Sequence, residues 1–336
     1  MNNPEILILG AGSFGTCLAQ HLAQKELNVI LLANSNQVSD SINKQHINKK
    51  YFPDITLEKR ISATSCVNTI DFDQIEYIIN ATPTQYTRAV YEKLKSKVSD
   101  RTIFINASKG IENKSLSLPL EIIKEVFGEK TYDRSCVLSG PSFAIEVLKR
   151  LPTAVSIGGR NKETLKKAQK LFHTPFFRTY ANPDPIGLEI SGALKNVIAI
   201  AVGALEGLGL EQNTKAALIT RGLGEIKRLG LALGADAATF QSLGGMGDLI
   251  LTCSSQKSRN FRVGYHMGQG CNLQEATILA KTTAEGVSTS KSAYNLATKL
   301  KVDAPICEQV YLVLHEKKPI KDAFEYLLNR EMKSEF

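Results

Sequence analysis

Tryptophan is absent from the 336 residues, and cysteine and histidine are held to six and five. The cysteines (Cys17, Cys66, Cys136, Cys253, Cys271 and Cys307) show neither CxxC nor Cys/His spacing. A disulfide framework and a zinc site are therefore excluded, no metal is expected, and the thiols are expected to be buried as small apolar side chains. No uninterrupted apolar run approaches the ~18–20 residues that cross a bilayer, which speaks against membrane insertion. The first residues, MNNPEILILG, carry Glu5 inside their apolar run and have no basic lead-in, so they read as a strand rather than a signal peptide. A cytosolic protein is the expectation. Acidic residues are in deficit, giving a net charge of +8. From Pro183 onward the balance is nearly even, 17 Lys/Arg against 16 Asp/Glu, whereas the first part holds 24 against 17. That excess suits an anionic ligand in the N-terminal portion, or plain solubility. No basic stripe is interleaved with aromatics, which argues against nucleic-acid binding.

What is present is a rhythm. Apolar, largely β-branched runs at 5–10, 28–33, 77–83, 102–108, 135–140 and 153–159 alternate with helical patterns such as Phe14–Gln24 and Gln85–Lys97. Strands of that composition are those of a parallel sheet covered on both faces, and the alternation predicts a doubly wound, Rossmann-like α/β domain. At FFRTYANPDP (176–185) the character changes, and the pattern beyond is helical. Residues 187–209 form a long apolar helix pattern, expected at the centre of an all-α domain, with amphipathic stretches at 310–316 and 323–329 and loops at GGMGD, GQG and DAPI. The expected division is 1–182, a dinucleotide-binding domain, and 183–336, a helical substrate-binding and catalytic domain.

Gly10-Ala11-Gly12-Ser13-Phe14-Gly15 directly follows an apolar strand and opens a helix. In that context Gly10 serves a tight turn, Gly12 a close backbone approach to a pyrophosphate, and Gly15 close helix–sheet packing. The helix start offers free N–H groups to the anion. Where an NAD-strict site places an acidic residue on the ribose, at the end of the next strand, this chain has Asn34, Ser35 and Asn36. Nothing there repels a 2′-phosphate and no arginine grips it, so the cofactor is read as NAD or NADP.

Reduction of a carbonyl needs a proton donor and a substrate seat. The histidines are poorly placed for this: His21, His46 and His315 fall at presumed surface positions, His173 lies among HTPFF, and only His266 is near a promising motif. Lys195 stands in SGALKNVIAIAVGAL, the most apolar helix of the chain. A lysine there is costly unless paired or functional, and desolvation would bring it toward a general acid's working range. A lysine snorkelling from the helix edge fits the helix alone equally well. Ser258-Arg259-Asn260 reads as an anion seat or as a helix cap, and Gly140-Pro141 as a ligand loop or as a plain turn.

Taken together, GAGSFGT, NATPTQ, ASKGIE, SGPSFA, GALKN, LITRGL, GDLILTC, SRN and AEGVST resemble, in order and spacing, the bacterial-type NAD(P)-dependent glycerol-3-phosphate dehydrogenases, over nearly the whole chain. The resemblance implies interconversion of dihydroxyacetone phosphate and sn-glycerol 3-phosphate for phospholipid synthesis, a phosphorylated small-molecule substrate, and a homodimer. It implies that Lys195 is the proton donor, with Asp248 beside it to orient the lysine or the substrate hydroxyls, and Asn196 and Thr252 supporting. It assigns Lys109, Gly140, Ser142, Lys195, Asp248, Ser258, Arg259 and Asn260 to the substrate, and Gly10, Gly12, Ser13, Phe14, Gly15, Asn34, Lys109, Ala144, Arg259 and Glu285 to the cofactor. Two positions depart from the family pattern: Asn34, where a basic residue or histidine is frequent, and Thr283, where an aliphatic residue is. The alternatives are a dehydrogenase of the same plan acting on a carboxylated substrate, and a non-catalytic NAD(P)H sensor.

Overall fold

The computed structural model describes residues 5–280 and 284–331; Thr283 lies outside them. By packing, the chain divides into two compact units, Met1–Lys109 with Ser117–Glu189, and Gly110–Leu116 with Ile190–Phe336. The sequence break at 182 gives all of the long helix to the second unit, whereas packing leaves its first residues with the first.

The first unit holds one sheet of eight strands: β1 (Glu5–Leu9), β2 (Asn28–Leu32), β3 (Ile61–Thr64), β4 (Ile75–Asn80), β5 (Ile103–Asn106), β6 (Cys136–Ser139), β7 (Thr153–Gly159) and β8 (Phe177–Asn182). Their spatial order is β3-β2-β1-β4-β5-β6-β7-β8. All neighbours are parallel except β6 and β7, so β7 does not continue the parallel run that its sequence suggested. The helices are α1 (Ser13–Ala23), α2 (Asn36–Gln45), α3 (Thr84–Leu94), α4 (Pro119–Phe127), α5 (Glu129–Asp133), α6 (Ala144–Leu148) and α7 (Lys162–Phe172). Side chains alternate across a strand, and β1 shows the result. Ile6 and Ile8 pack in one core with Leu18, Leu22, Ile42 and Phe172, and Leu7 and Leu9 in another with Tyr91, Leu94 and Ile123. The sheet is thus covered on both faces. The two strands not anticipated, β3 and β8, are its edges. With one flank unpaired they are short or half-exposed and carry polar residues (ISAT, FRTYAN), so no apolar run marks them.

The second unit is helical: α8 (Pro185–Gly207), α9 (Gln212–Ala232), α10 (Asp248–Cys253), α11 (Arg259–Gly268), α12 (Leu273–Leu279), α13 (Glu285–Leu300), α14 (Pro305–His315) and α15 (Ile320–Leu328). GGMGD is not a loop. Leu243–Gly247 forms a π-helical turn running directly into α10, and Gly245 has no room for a side chain, since a Cβ would stand 2.6 Å from the carbonyl oxygens of Thr239 and Phe240. Helix α8, despite the charged residues Glu189, Lys195 and Glu206, is long and apolar enough to cross a membrane, but 94% of its most apolar window is buried inside the protein. It is a core helix. Along it runs a seam of glycines: a Cβ on Gly203 or Gly207 would lie 2.1 or 2.2 Å from the carbonyl oxygen of Phe261 or Tyr265 of α11. Reciprocally, a Cβ on Gly264 or Gly268 would lie 1.9 or 2.3 Å from that of Ile200 or Ala204. The two backbones therefore touch, which fixes α11 and its N-terminus against α8.

Cys17, Cys136, Cys253 and Cys307 are buried thiols, while Cys66 is exposed and Cys271 half-buried, correcting the expectation that all six are internal. His21 corrects the surface assignment in the other direction. It is 2% exposed, meets the Phe172 carbonyl oxygen at 2.6 Å and packs edge-on to Phe176. Burial, aided by the Lys25 and Arg150 charges, pushes the imidazole down to about 4, against the bond to Phe172. Because the folded form binds its proton more weakly than an ordinary histidine near 6.5, stability is full above that pH and falls between 6.5 and 4, by up to about 3 kcal/mol. Thermal melts should show the parent losing stability relative to His21→Gln across that window. Parallel pH profiles would refute a neutral buried imidazole.

Candidate active site

The turn from β1 into α1 has the geometry that its glycines demand. Gly10 adopts φ +103°, and a Cβ there would meet the Ala81 carbonyl oxygen at 3.0 Å. A Cβ on Gly15 would lie 1.9 Å from the Gly10 carbonyl oxygen, so the helix packs on the turn with no side chain between. Above Gly12 there is open space, since nothing stands within 4 Å of an added Cβ. Gly12 caps α1 and Ser13 and Phe14 form its first turn, where amides lack intrahelical partners. This cradle, at the carboxyl ends of β1 and β4 where the strand order reverses, fits a dinucleotide pyrophosphate. Asn34 is exposed just beyond β2.

Asn80 and Asn106 end the neighbouring strands β4 and β5 in register, both fully buried. Asn80 Nδ2 donates to Asn106 Oδ1 at 3.2 Å and to Thr87 Oγ1 at 3.1 Å, and Thr82 Oγ1 donates to Asn80 Oδ1 at 2.6 Å. Asn106 Nδ2 in turn donates to the Ser108 carbonyl oxygen at 3.1 Å. Lys109, half-buried, follows directly. Gly140 follows β6 with φ +144°, and a Cβ would lie 2.9 Å from Val155 Cα. Ser142 Oγ donates to the Gly140 carbonyl oxygen at 3.0 Å, and Ala144 opens α6.

In the second unit Lys195 is only 6% exposed, and its ammonium donates to Asp248 Oδ1; Asp248 is itself 1% exposed. The snorkelling alternative is thereby excluded, because the charge is buried and paired rather than led to solvent. Asp248 is the first residue of α10, not part of a turn. Thr252 Oγ1 donates to the Asp248 backbone carbonyl oxygen at 2.6 Å. Ser258 caps α11, accepting from the Phe261 amide at 3.3 Å, with Arg259 as the first helical residue. Asn260 Oδ1 accepts from the Gly286 amide at 2.9 Å. A Cβ on Gly286 would stand 2.7 Å from both Asn260 Oδ1 and the Asn196 carbonyl oxygen. Lys195-Asn196, Arg259-Asn260 and Glu285-Gly286 are therefore gathered where α8 and the N-termini of α11 and α13 converge. Among the described residues no cluster of metal-ligating side chains occurs.

Residues 5–165 match the N-terminal, and residues 184–325 the C-terminal, region of NAD-dependent glycerol-3-phosphate dehydrogenase. The chain belongs to that family. The glycerol-3-phosphate dehydrogenase (NAD(P)+) of Leptospira biflexa serovar Patoc is 44% identical over 331 residues, covering 98% of this chain and 99% of that protein. That of Geobacter metallireducens is 43% identical, with 98% of each chain covered. The crystal structure of glycerol-3-phosphate dehydrogenase from Coxiella burnetii aligns with a TM-score of 0.93 at 34% identity, over 98% of this chain and 99% of that one.

Within this family frame, the structure also identifies supporting residues that sequence reasoning passed over. Asn48, fully buried, donates to the Ala11 carbonyl oxygen at 3.0 Å and to Thr16 Oγ1 at 2.8 Å, bracing the glycine turn. The asparagines ending β4 and β5 had a visible signal: both strands close on Ile-Asn-Ala. Asn48, in a polar loop, had none.

Proposed function

We propose that this chain interconverts dihydroxyacetone phosphate and sn-glycerol 3-phosphate with NAD(P)H, in the cytoplasm, supplying glycerol 3-phosphate for phospholipid synthesis. The observation that carries this reading is the buried Lys195–Asp248 pair, an ammonium held in an apolar helix beside the helix N-terminus that bears Ser258, Arg259 and Asn260. The first unit is the dinucleotide-binding domain, with Gly10, Gly12, Ser13, Phe14, Gly15, Asn34, Lys109 and Ala144 toward the cofactor; the family resemblance assigns Arg259 and Glu285 of the helical unit to the cofactor as well. A bound nicotinamide supplies or accepts a hydride at the substrate's C2. Lys195 gives a proton to the C2 oxygen as the ketone becomes an alcohol, and takes it back in oxidation. Asp248 orients the lysine and pairs with its ammonium form. Ser258, Arg259 and Asn260 hold the phosphate through a hydroxyl, a guanidinium fork and an amide Nδ2, with Lys109, Gly140 and Ser142 completing the contacts to substrate. Exposed apolar side chains on the helical unit, among them Leu231 and Ile250, support self-association as a homodimer.

The decisive assay mixes dihydroxyacetone phosphate with NADH or NADPH and follows the fall in absorbance; no turnover with either dinucleotide would sink the assignment. Because Asn34 carries no charge, both cofactors are expected to work, with specificities within roughly 100-fold of each other. Asn34→Asp should favour NADH by repelling the 2′-phosphate. Unchanged NADPH efficiency in that variant would mean that the ribose lies elsewhere.

A further inference from the structure

Glu189 is a carboxyl that the chemistry above does not use, yet it is 5% exposed within the α8 residues that belong to the first unit. A buried carboxyl costs several kcal/mol unless its oxygens are satisfied, so its partners are informative. Oε1 accepts from Asn106 Nδ2 at 3.0 Å and from the Leu120 amide at 3.1 Å, and Oε2 lies 3.3 Å from the same amide. Asn106 is the last residue of β5 and Leu120 belongs to the first turn of α4. One side chain thus holds both ends of the segment 107–119, which carries Lys109. At the β5 end the contact continues inward, since Asn106 Oδ1 accepts from the Ser108 amide at 3.1 Å, one residue before Lys109. Burial, and the neighbouring Glu121 charge, raise the Glu189 carboxyl well above the ordinary range against these hydrogen bonds, a cost compatible with a fixed structural task.

We propose that Glu189 is a positioning residue: by clamping Asn106 to Leu120 it sets the path of segment 107–119 and so places Lys109 for substrate. This rests on the reading of Lys109 as a substrate contact given above. It predicts that Glu189 contributes to catalysis through Lys109 and not independently of it.

The test is a double-mutant cycle in kcat/KM for dihydroxyacetone phosphate, using the parent, Lys109→Met, Glu189→Gln and the double variant. Glutamine matches the shape of glutamate, but both carboxyl oxygens face the Leu120 amide, so in either orientation its NH2 group sets a donor against that donor. Lys109→Met should lose at least 10-fold, and this arm reports on the substrate-contact reading alone. Glu189→Gln should also lose at least 10-fold, while the double variant falls within about 2-fold of Lys109→Met. Losses that multiply would overturn the proposal, as would parental activity in Glu189→Gln. Hydrogen exchange provides a readout that needs no chemistry: amides of 107–120 should exchange at least 10-fold faster in Glu189→Gln, with α11 and α13 unchanged. Unchanged exchange of 107–120 would refute the clamp even if activity fell. Should Glu189→Gln not fold, Asn106→Ala opens the same clamp from its other side and enters the same cycle with the same expected coupling.

Discussion

Turnover of dihydroxyacetone phosphate should fall by about 10²–10⁴ in Lys195→Met, the range for loss of an acid/base group. The substitution keeps the apolar stem and removes the proton and the charge. It also strands Asp248, whose buried carboxylate loses its cation, and breaking such a pair from one side costs about 3–5 kcal/mol. A loss of activity alone would therefore confound chemistry with folding. The second variant, Lys195→Met with Asp248→Asn, separates them, since a neutral amide beside a thioether removes the uncompensated charge. Its melting temperature should recover toward the parent's while turnover stays at the level of Lys195→Met or below. Activity within a few-fold of the parent in either variant would leave Lys195 a structural cation.

Arg259→Ala should reduce kcat/KM for dihydroxyacetone phosphate by roughly 2–4 kcal/mol, about 30- to 1000-fold, through loss of a charge-assisted contact to phosphate. A guanidinium binds carboxylate as readily as phosphate, so the variant alone does not identify the substrate. The comparison has to be made in the substrate as well. Dihydroxyacetone lacks the remote anion whose binding places C2 for reaction, so it should be a very poor substrate of the parent even at high concentration. Its efficiency should change much less in Arg259→Ala, because it never used the phosphate seat and loses only the arginine's contact to the cofactor. Equal losses on both compounds would strip Arg259 of the phosphate role and leave it only to the cofactor or to the fold. Since Arg259 is the first residue of α11, circular dichroism of the variant should accompany the kinetics.

How much of this was legible in the sequence follows from how local each signal is. The interior strands declare themselves because both faces are buried and every position must be apolar; the edges β3 and β8 lack that requirement and were missed. Lys195 stands out because one cation in an apolar helix is an anomaly visible within a single turn. Its partner is 53 residues away, and nothing in either segment encodes the pairing. The Glu189 contacts span 83 and 69 residues and were invisible for the same reason. His21 was misplaced because α1 is buried on nearly every side from Gly15 to Ala23, so position on the helix no longer separates inside from outside. GGMGD reads as a loop because its glycines suggest freedom, whereas Gly245 is there for lack of space. GALKN, SRN and AEGVST were grouped by resemblance, and the convergence of α8 with the N-termini of α11 and α13 supplies the physical reason that they belong together.

The glycine seam between α8 and α11 constrains how this enzyme can adapt to heat. Replacing a glycine inside a helix by alanine ordinarily adds about 0.4–1 kcal/mol by restricting the unfolded chain, a common route to thermal hardening. At Gly203, Gly207, Gly264 and Gly268 that route is closed, because each methyl would have to occupy the place of a carbonyl oxygen on the facing helix. A lineage moving to hotter surroundings must therefore gain its stability elsewhere, while the contact that seats α11, the helix opened by Ser258, Arg259 and Asn260, against α8 keeps its most flexible residue type.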